Sequence, residues 1–154
     1  MVTKPEKGKK NPFENINRDS IRIIDRQWLR ADHLKVAFYN SPAFRSQQKG
    51  ENDFDWMTSY LVSPRGVYLC VWYAFVYSVL EGAIEKGVDP TSFKSYTEKL
   101  EDLLKKFRNS IFHNPPKYWD KRYIKLFGGT QLEDIEKLHE ELGKYLEDSL
   151  NSKR

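Results

Sequence analysis

Apolar residues recur at steps of three and four along most of this chain, and that spacing predicts helices. Ile21, Ile24, Trp28, Ala31, Leu34 and Phe38 form one face of a first amphipathic helix. Asn17 or Asp19 is placed to cap its start, and Asn40-Ser41-Pro42 ends it, because a residue before proline avoids the helical region. After a polar loop through Gly50, Asn52 or Asp53 is placed to cap a short helix carrying Phe54, Met57 and Leu61. Ser63-Pro64 then reads as an N-cap with proline in the first turn. The run VYLCVWYAFVYSVL that follows is apolar on all sides. Its β-branched and aromatic residues would suit a strand, but with EGAIEKG it is far longer than strands usually are. It predicts a central helix ending at Gly87, covered by the other helices or partly by a second subunit.

Asp89-Pro90 restarts the chain, and Phe93, Tyr96, Leu100, Leu103, Phe107 and Ile111 give the cleanest apolar stripe. The short link predicts antiparallel packing on the central helix, and Asn114-Pro115-Pro116 requires a stop. Beyond the connector KYWDKRYIKLFGG, Thr130 and Glu133 match a capping box. Leu132, Ile135, Leu138, Leu142, Tyr145 and Leu150 then mark a last amphipathic helix. The fold expected is an all-α bundle of about four main helices with short accessory turns.

Composition fits one domain: 154 residues, 39% hydrophobic and 31% charged, with net charge +4. Residues 1–18 hold five bases against two acids and two prolines, and are expected to be a disordered basic tail before a single domain at 19–151. The lone Cys70 cannot form an intrachain disulfide, and its apolar neighbours suggest a buried thiol in a reducing compartment. No apolar leader opens the chain, and the run Val67 to Leu80 is too short to span a bilayer. A soluble, cytoplasmic protein without a membrane partner is the expectation.

Most catalytic templates are absent: no glycine-rich phosphate loop, no metalloprotease helix, no nucleophile elbow. His33, His113 and His139 lack paired metal-ligand spacing, so no metal and no cofactor are expected. His33 falls on a polar face and is expected in solvent; His139 lies beside a core stripe and is expected to be packed and hydrogen-bonded. The segment KKFRNSIFHNPP differs, because it collects Arg108, Asn109 and His113 at the carboxyl end of a helix. Asn109 and His113 are four apart and share a face, whereas Arg108 and His113 lie about 140° apart around the axis. Arg108 and His113 can converge through the long arginine side chain, through unwinding of the last turn, or by meeting a second copy across a two-fold axis. The helix dipole favours a protonated imidazole there, and imidazolium beside guanidinium suits a phosphate. Basic residues at a helix C-terminus are also ordinary dipole complements, so the spacing alone leaves a structural role open.

Arg108, the polar Asn109, and His113 after four intervening residues resemble the signature of the HEPN (higher eukaryotes and prokaryotes nucleotide-binding) superfamily, placed near the end of a helix in a small all-α bundle. The resemblance covers this motif closely and roughly residues 20–150 by helix order. It implies a metal-independent endoribonuclease acting as a homodimer whose two motifs line one cleft, often in toxin–antitoxin, phage-defence or CRISPR-associated systems. An antitoxin or a nucleotidyltransferase is the kind of protein partner it implies. His113 would then transfer protons during attack of an RNA 2′-hydroxyl on the adjacent phosphate, Arg108 would stabilise the phosphate charge, and Asn109 would orient them. The products would carry 2′,3′-cyclic phosphate and 5′-hydroxyl ends. Many members lack nuclease activity, so the same resemblance also implies a catalytically silent nucleotide- or protein-binding module. A helical dimerisation or adaptor domain is the alternative from another class.

Charge distribution sharpens the partner. From Lys105 to Lys125 seven bases face Asp120 alone, a net +6, interleaved with Tyr118, Trp119 and Tyr123. Cations beside aromatic rings suit single-stranded RNA, making Lys105, Lys117, Tyr118, Lys121, Arg122 and Lys125 candidate contacts. The bland alternative is a solvated connector whose aromatic residues are core. Residues 131–148 carry net −5 and are expected to present a solvated outer face or to pair with this connector.

Overall fold

The computed structural model describes residues 10–45, 52–112 and 131–152. Helices α1 (Arg18–Asn40), α2 (Asp53–Val62), α3 (Pro64–Glu85), α4 (Lys94–Phe112) and α5 (Gln131–Ser152) make the all-α architecture, with a 3-10 turn at Pro90–Phe93 before α4. Among the described residues there is no strand. The ends follow local chemistry. The Asn17 side chain accepts from the Ser20 N–H at the start of α1, and Ser63 accepts from the Gly66 N–H at the start of α3. Gly87, at φ 105°, takes the left-handed conformation that closes α3. Asp89 caps the 3-10 turn, so the expected cap and proline open that turn and α4 begins four residues later. The capping residue proposed for α5, Thr130, lies outside the described residues.

Four long helices run alternately up and down. Arg65 near the start of α3 reaches Phe38 and Ser41 at the end of α1, while Ile24 faces the late part of α3. Tyr73 meets Phe107, whereas Ile84 faces Thr97, so α3 and α4 are antiparallel as expected. Lys99 pairs with Asp134, and Phe93 packs on Tyr145, so α5 reverses again. It closes the ring against α1 through Tyr39–Glu136, Lys35–Glu140 and Trp28–His139. Helix α3 touches α1, α2, α4 and α5 and is therefore the centre of the bundle. Its 22 residues exceed the apolar run at its middle, and by length and composition alone it is long and apolar enough to cross a membrane. Here it serves as a core helix: Trp72, Ala74, Val76 and Ala83 are at most 1% exposed.

The predicted stripes supply the core: Ile21, Ile24, Ala31, Phe38, Leu100, Leu103, Phe107, Ile135, Leu138 and Leu142 are buried, with Met57 and Leu61 from α2. The tail reading of residues 1–18 is corrected in part. Residues 10–17 form a turn into α1, and Phe13 and Ile16 are 0% and 5% exposed. Asn11 pins this turn by donating to the Tyr145 carbonyl and the Ser149 hydroxyl of α5. Two apolar residues suffice because both side chains are taken out of water into the core cluster of the bundle. Residues 1–9 lie outside the described residues.

Candidate functional site

Arg108 sits on α4 just beyond Leu104 and Phe107, whose burial fixes the helix on α3. This register places the guanidinium over α3. Its Nη2 lies 3.5 Å from Glu81 Oε1, and its carbon centre lies 5.3 Å from the Tyr77 ring centroid. The Arg108 side chain is 25% exposed and that of Glu81 is 39% exposed, so the pair is partly shielded from water. Arg108 Nε is buried and has no hydrogen-bond partner among the described residues. Burial pushes the Tyr77 phenol above its ordinary pKa, reinforced by Glu81 and Glu101 and opposed by Arg108. Beside the pair opens a cleft of about 360 Å³ with Leu80, Ile84 and Pro90 on its apolar walls and Glu81, Glu85 and Glu101 on its rim.

Asn109 is half-buried and Lys105 is exposed, and their four-residue separation puts them on one side of α4. Helical geometry persists through Phe112. His113, Lys117, Tyr118, Lys121, Arg122 and Lys125 lie outside the described residues, as do Trp119 and Tyr123. The structure therefore brings Arg108 together with Glu81 and Tyr77, partners not anticipated from the sequence. Glu81 left one signal: it is the first charged residue after the unbroken uncharged run that begins at Gly66.

The other described histidines fall where expected. His33 is exposed. His139 is 1% exposed and fully engaged: Trp72 Nε1–H donates to its Nδ1 at 3.3 Å, and its Nε2 lies 3.2 Å from Asp32 Oδ1. An indole N–H can only donate, so Nδ1 is the acceptor and the ring proton sits on Nε2, given to Asp32. Burial holds the His139 pKa below its ordinary value, against the opposing pull of the Asp32 hydrogen bond. The Asp32 contact is therefore a hydrogen bond from a neutral ring. Trp28 packs tilted against the imidazole, ring centroids 5.1 Å apart, and donates to the His139 carbonyl at 2.8 Å. Gly143 makes room for it, since a Cβ there would overlap the Trp28 indole. Enclosed on both nitrogens, His139 ties α1, α3 and α5 together and is not placed to exchange protons with a ligand.

Burial pushes the Cys70 thiol up to about 12, far from a reactive thiolate. Among the described residues no cluster of His, Cys, Asp and Glu is arranged to hold a metal ion. None of the family models, curated proteins or solved structures compared with the chain matches it.

Proposed function

We propose that this chain is a HEPN-type endoribonuclease, active as a homodimer, that cleaves RNA without a metal and leaves 2′,3′-cyclic phosphate and 5′-hydroxyl ends. The observation that carries the reading is Arg108, in the motif Arg108-Asn109-x-x-x-His113, held near the end of α4 in an all-α bundle by Glu81 and Tyr77. A guanidinium braced by a carboxylate on one side and a ring face on another loses little side-chain freedom when it meets a phosphate. In this reading His113 moves the protons, taking one from the attacking 2′-hydroxyl or giving one to the leaving 5′-oxygen. Arg108 stabilises the charge that gathers on the phosphate, and Asn109 orients the reacting groups. The basic, aromatic stretch after the motif would track the RNA strand, through Lys117, Tyr118, Lys121, Arg122 and Lys125 with Lys105 before them. A toxin or phage-defence role in the cytoplasm, with an antitoxin or nucleotidyltransferase as protein partner, is consistent with this chemistry.

One observation favours a second reading, a catalytically silent nucleotide- or protein-binding module. Glu81 already answers the Arg108 charge, and Glu85 and Glu101 add negative charge to the neighbouring cleft, which works against an incoming phosphate. Cleavage of a mixed-sequence RNA in excess EDTA separates the two. Wild-type cleavage with cyclic-phosphate ends, reduced at least roughly 100-fold in both Arg108→Ala and His113→Ala, is the expected outcome. Wild-type protein that binds RNA without cutting it would leave the silent module. Equal cutting by all three preparations would assign the activity to a contaminant and remove the nuclease reading.

A further inference from the structure

We propose that the cleft between α3 and α4, beside Arg108, binds a small organic dication of the linear aliphatic diamine class. Tyr77, Glu81 and Glu85 follow one another at steps of four, so they line one side of α3, each about 6 Å beyond the last. Thr97 and Glu101 line the α4 side, and Pro90 of the link completes a cleft of about 360 Å³. Its acidic rim is not neutralised from within. Glu81 has Arg108 at 3.5 Å, but Glu85 and Glu101 are exposed and make no ion pair among the described residues. Lys94 and Lys99 of α4 pair with Glu98 and Asp134 instead. Three carboxylates against one guanidinium leave two negative charges at the cleft. A second feature, independent of the carboxylates, points to a ligand. Tyr77 is 7% exposed and lines the cleft, yet its hydroxyl has no hydrogen-bond partner among the described residues. A buried phenol ordinarily finds one.

The lining chooses the occupant. Thr97 donates its hydroxyl proton to the Lys94 carbonyl, so what it offers the cleft is an acceptor, and the Tyr77 oxygen can accept as well. Acceptors and carboxylates together call for a donor that carries positive charge. A phosphate or a carboxylate ligand would meet the three glutamates as like charges. A bare metal ion does not suit the site either. No group of His, Cys, Asp and Glu among the described residues is arranged to hold one, and an ion would leave Leu80, Ile84 and Pro90 facing water. An alkyl chain with an ammonium at each end answers both needs: its methylenes cover the apolar walls while its ends meet the carboxylates. Arg108 is then a competitor, because its guanidinium and the incoming ammonium share Glu81. Binding needs no RNA, so the site stands or falls apart from the nuclease reading.

The test is isothermal titration calorimetry of the full chain with putrescine at low salt. Butylamine serves as the singly charged control and magnesium chloride as the control for bare charge attraction. Putrescine should bind with a dissociation constant below about 1 mM, and butylamine at least roughly 5-fold more weakly. Magnesium at matched ionic strength should not displace it. Glu101→Gln should weaken binding about 10-fold and Tyr77→Phe about 5-fold. Both variants should keep wild-type circular dichroism and melting, since Glu101 is exposed and Phe preserves the Tyr77 ring. Arg108→Gln removes the competitor for Glu81 and should tighten binding, an effect opposite in sign to the other two. No saturable heat up to about 10 mM putrescine would overturn the proposal. So would displacement by magnesium, unchanged affinity in Glu101→Gln and Tyr77→Phe, or weaker binding to Arg108→Gln.

Discussion

His139 shows how a single residue sets a pH limit on the whole chain. Its native pKa is held below the ordinary value of 6.5 by burial, while the unfolded chain titrates near that value. Above about 6.5 both states carry a neutral ring, and the stabilising contribution is complete. As pH falls from there toward the lower native value, the unfolded chain binds a proton that the native chain refuses, so stability drops. Asp32 and Glu140 oppose that loss and Lys35 reinforces it. The midpoint of thermal unfolding should therefore fall between pH 7.5 and pH 5.5, and His139→Gln should flatten that slope while lowering the melting temperature at pH 7.5. A slope unchanged by the substitution would assign the acid sensitivity to the carboxylates. The sequence placed His139 beside a core stripe. Its partners Asp32 and Trp72 were hidden, because they lie 107 and 67 residues away.

At the scale of elements, helix ends are joined by side chains from other helices. Arg65, in the first turn of α3, donates to the carbonyls of Phe38 at 3.1 Å and Ser41 at 2.7 Å, and its guanidinium lies 4.4 Å from the Phe38 ring. It thus satisfies the Ser41 carbonyl, adds a donor to the Phe38 carbonyl that already accepts from the Ser41 N–H and hydroxyl, and fixes the α1–α3 corner. Arg65→Met keeps the aliphatic stem but loses these bonds, and should cost about 1–2 kcal/mol by urea unfolding. Native-state hydrogen exchange should report the loss mainly in the last turn of α1. An exchange pattern unchanged there would show that the bonds do little. Helix extents were legible from the periodicity and caps, since both act within a few residues. The role of Arg65 was not, because it acts across 24 to 27 residues.

At the scale of the molecule, the first described turn is part of the domain. Phe13 is fully buried, and its backbone N–H donates to Asn11, which is itself bonded to Tyr145 and Ser149 of the last helix. Phe13→Ala should cost about 3–5 kcal/mol and lower the melting temperature substantially. A change within about 0.5 kcal/mol would return this segment to the status of a tail. Net charge also changes meaning at this scale. The overall +4 hides the +6 between Lys105 and Lys125, yet Arg108 within that stretch lies against Glu81, which lines a cleft with Glu85 and Glu101. Local charge in the sequence counts neighbours along the chain, whereas a ligand meets neighbours in space.

Spacing along the chain was enough to give the all-α class, the helices and their core faces. Those features depend on residues three to seven positions apart, and helical geometry is local. Packing in three dimensions was needed to show that Phe13 and Ile16 join the core, that His139 is a sealed knot between three helices, and that Glu81 and Tyr77 hold Arg108. Each of these is a meeting between elements distant in sequence, fixed by how the bundle packs, and hydrophobic periodicity names the buried faces without naming what each of them meets.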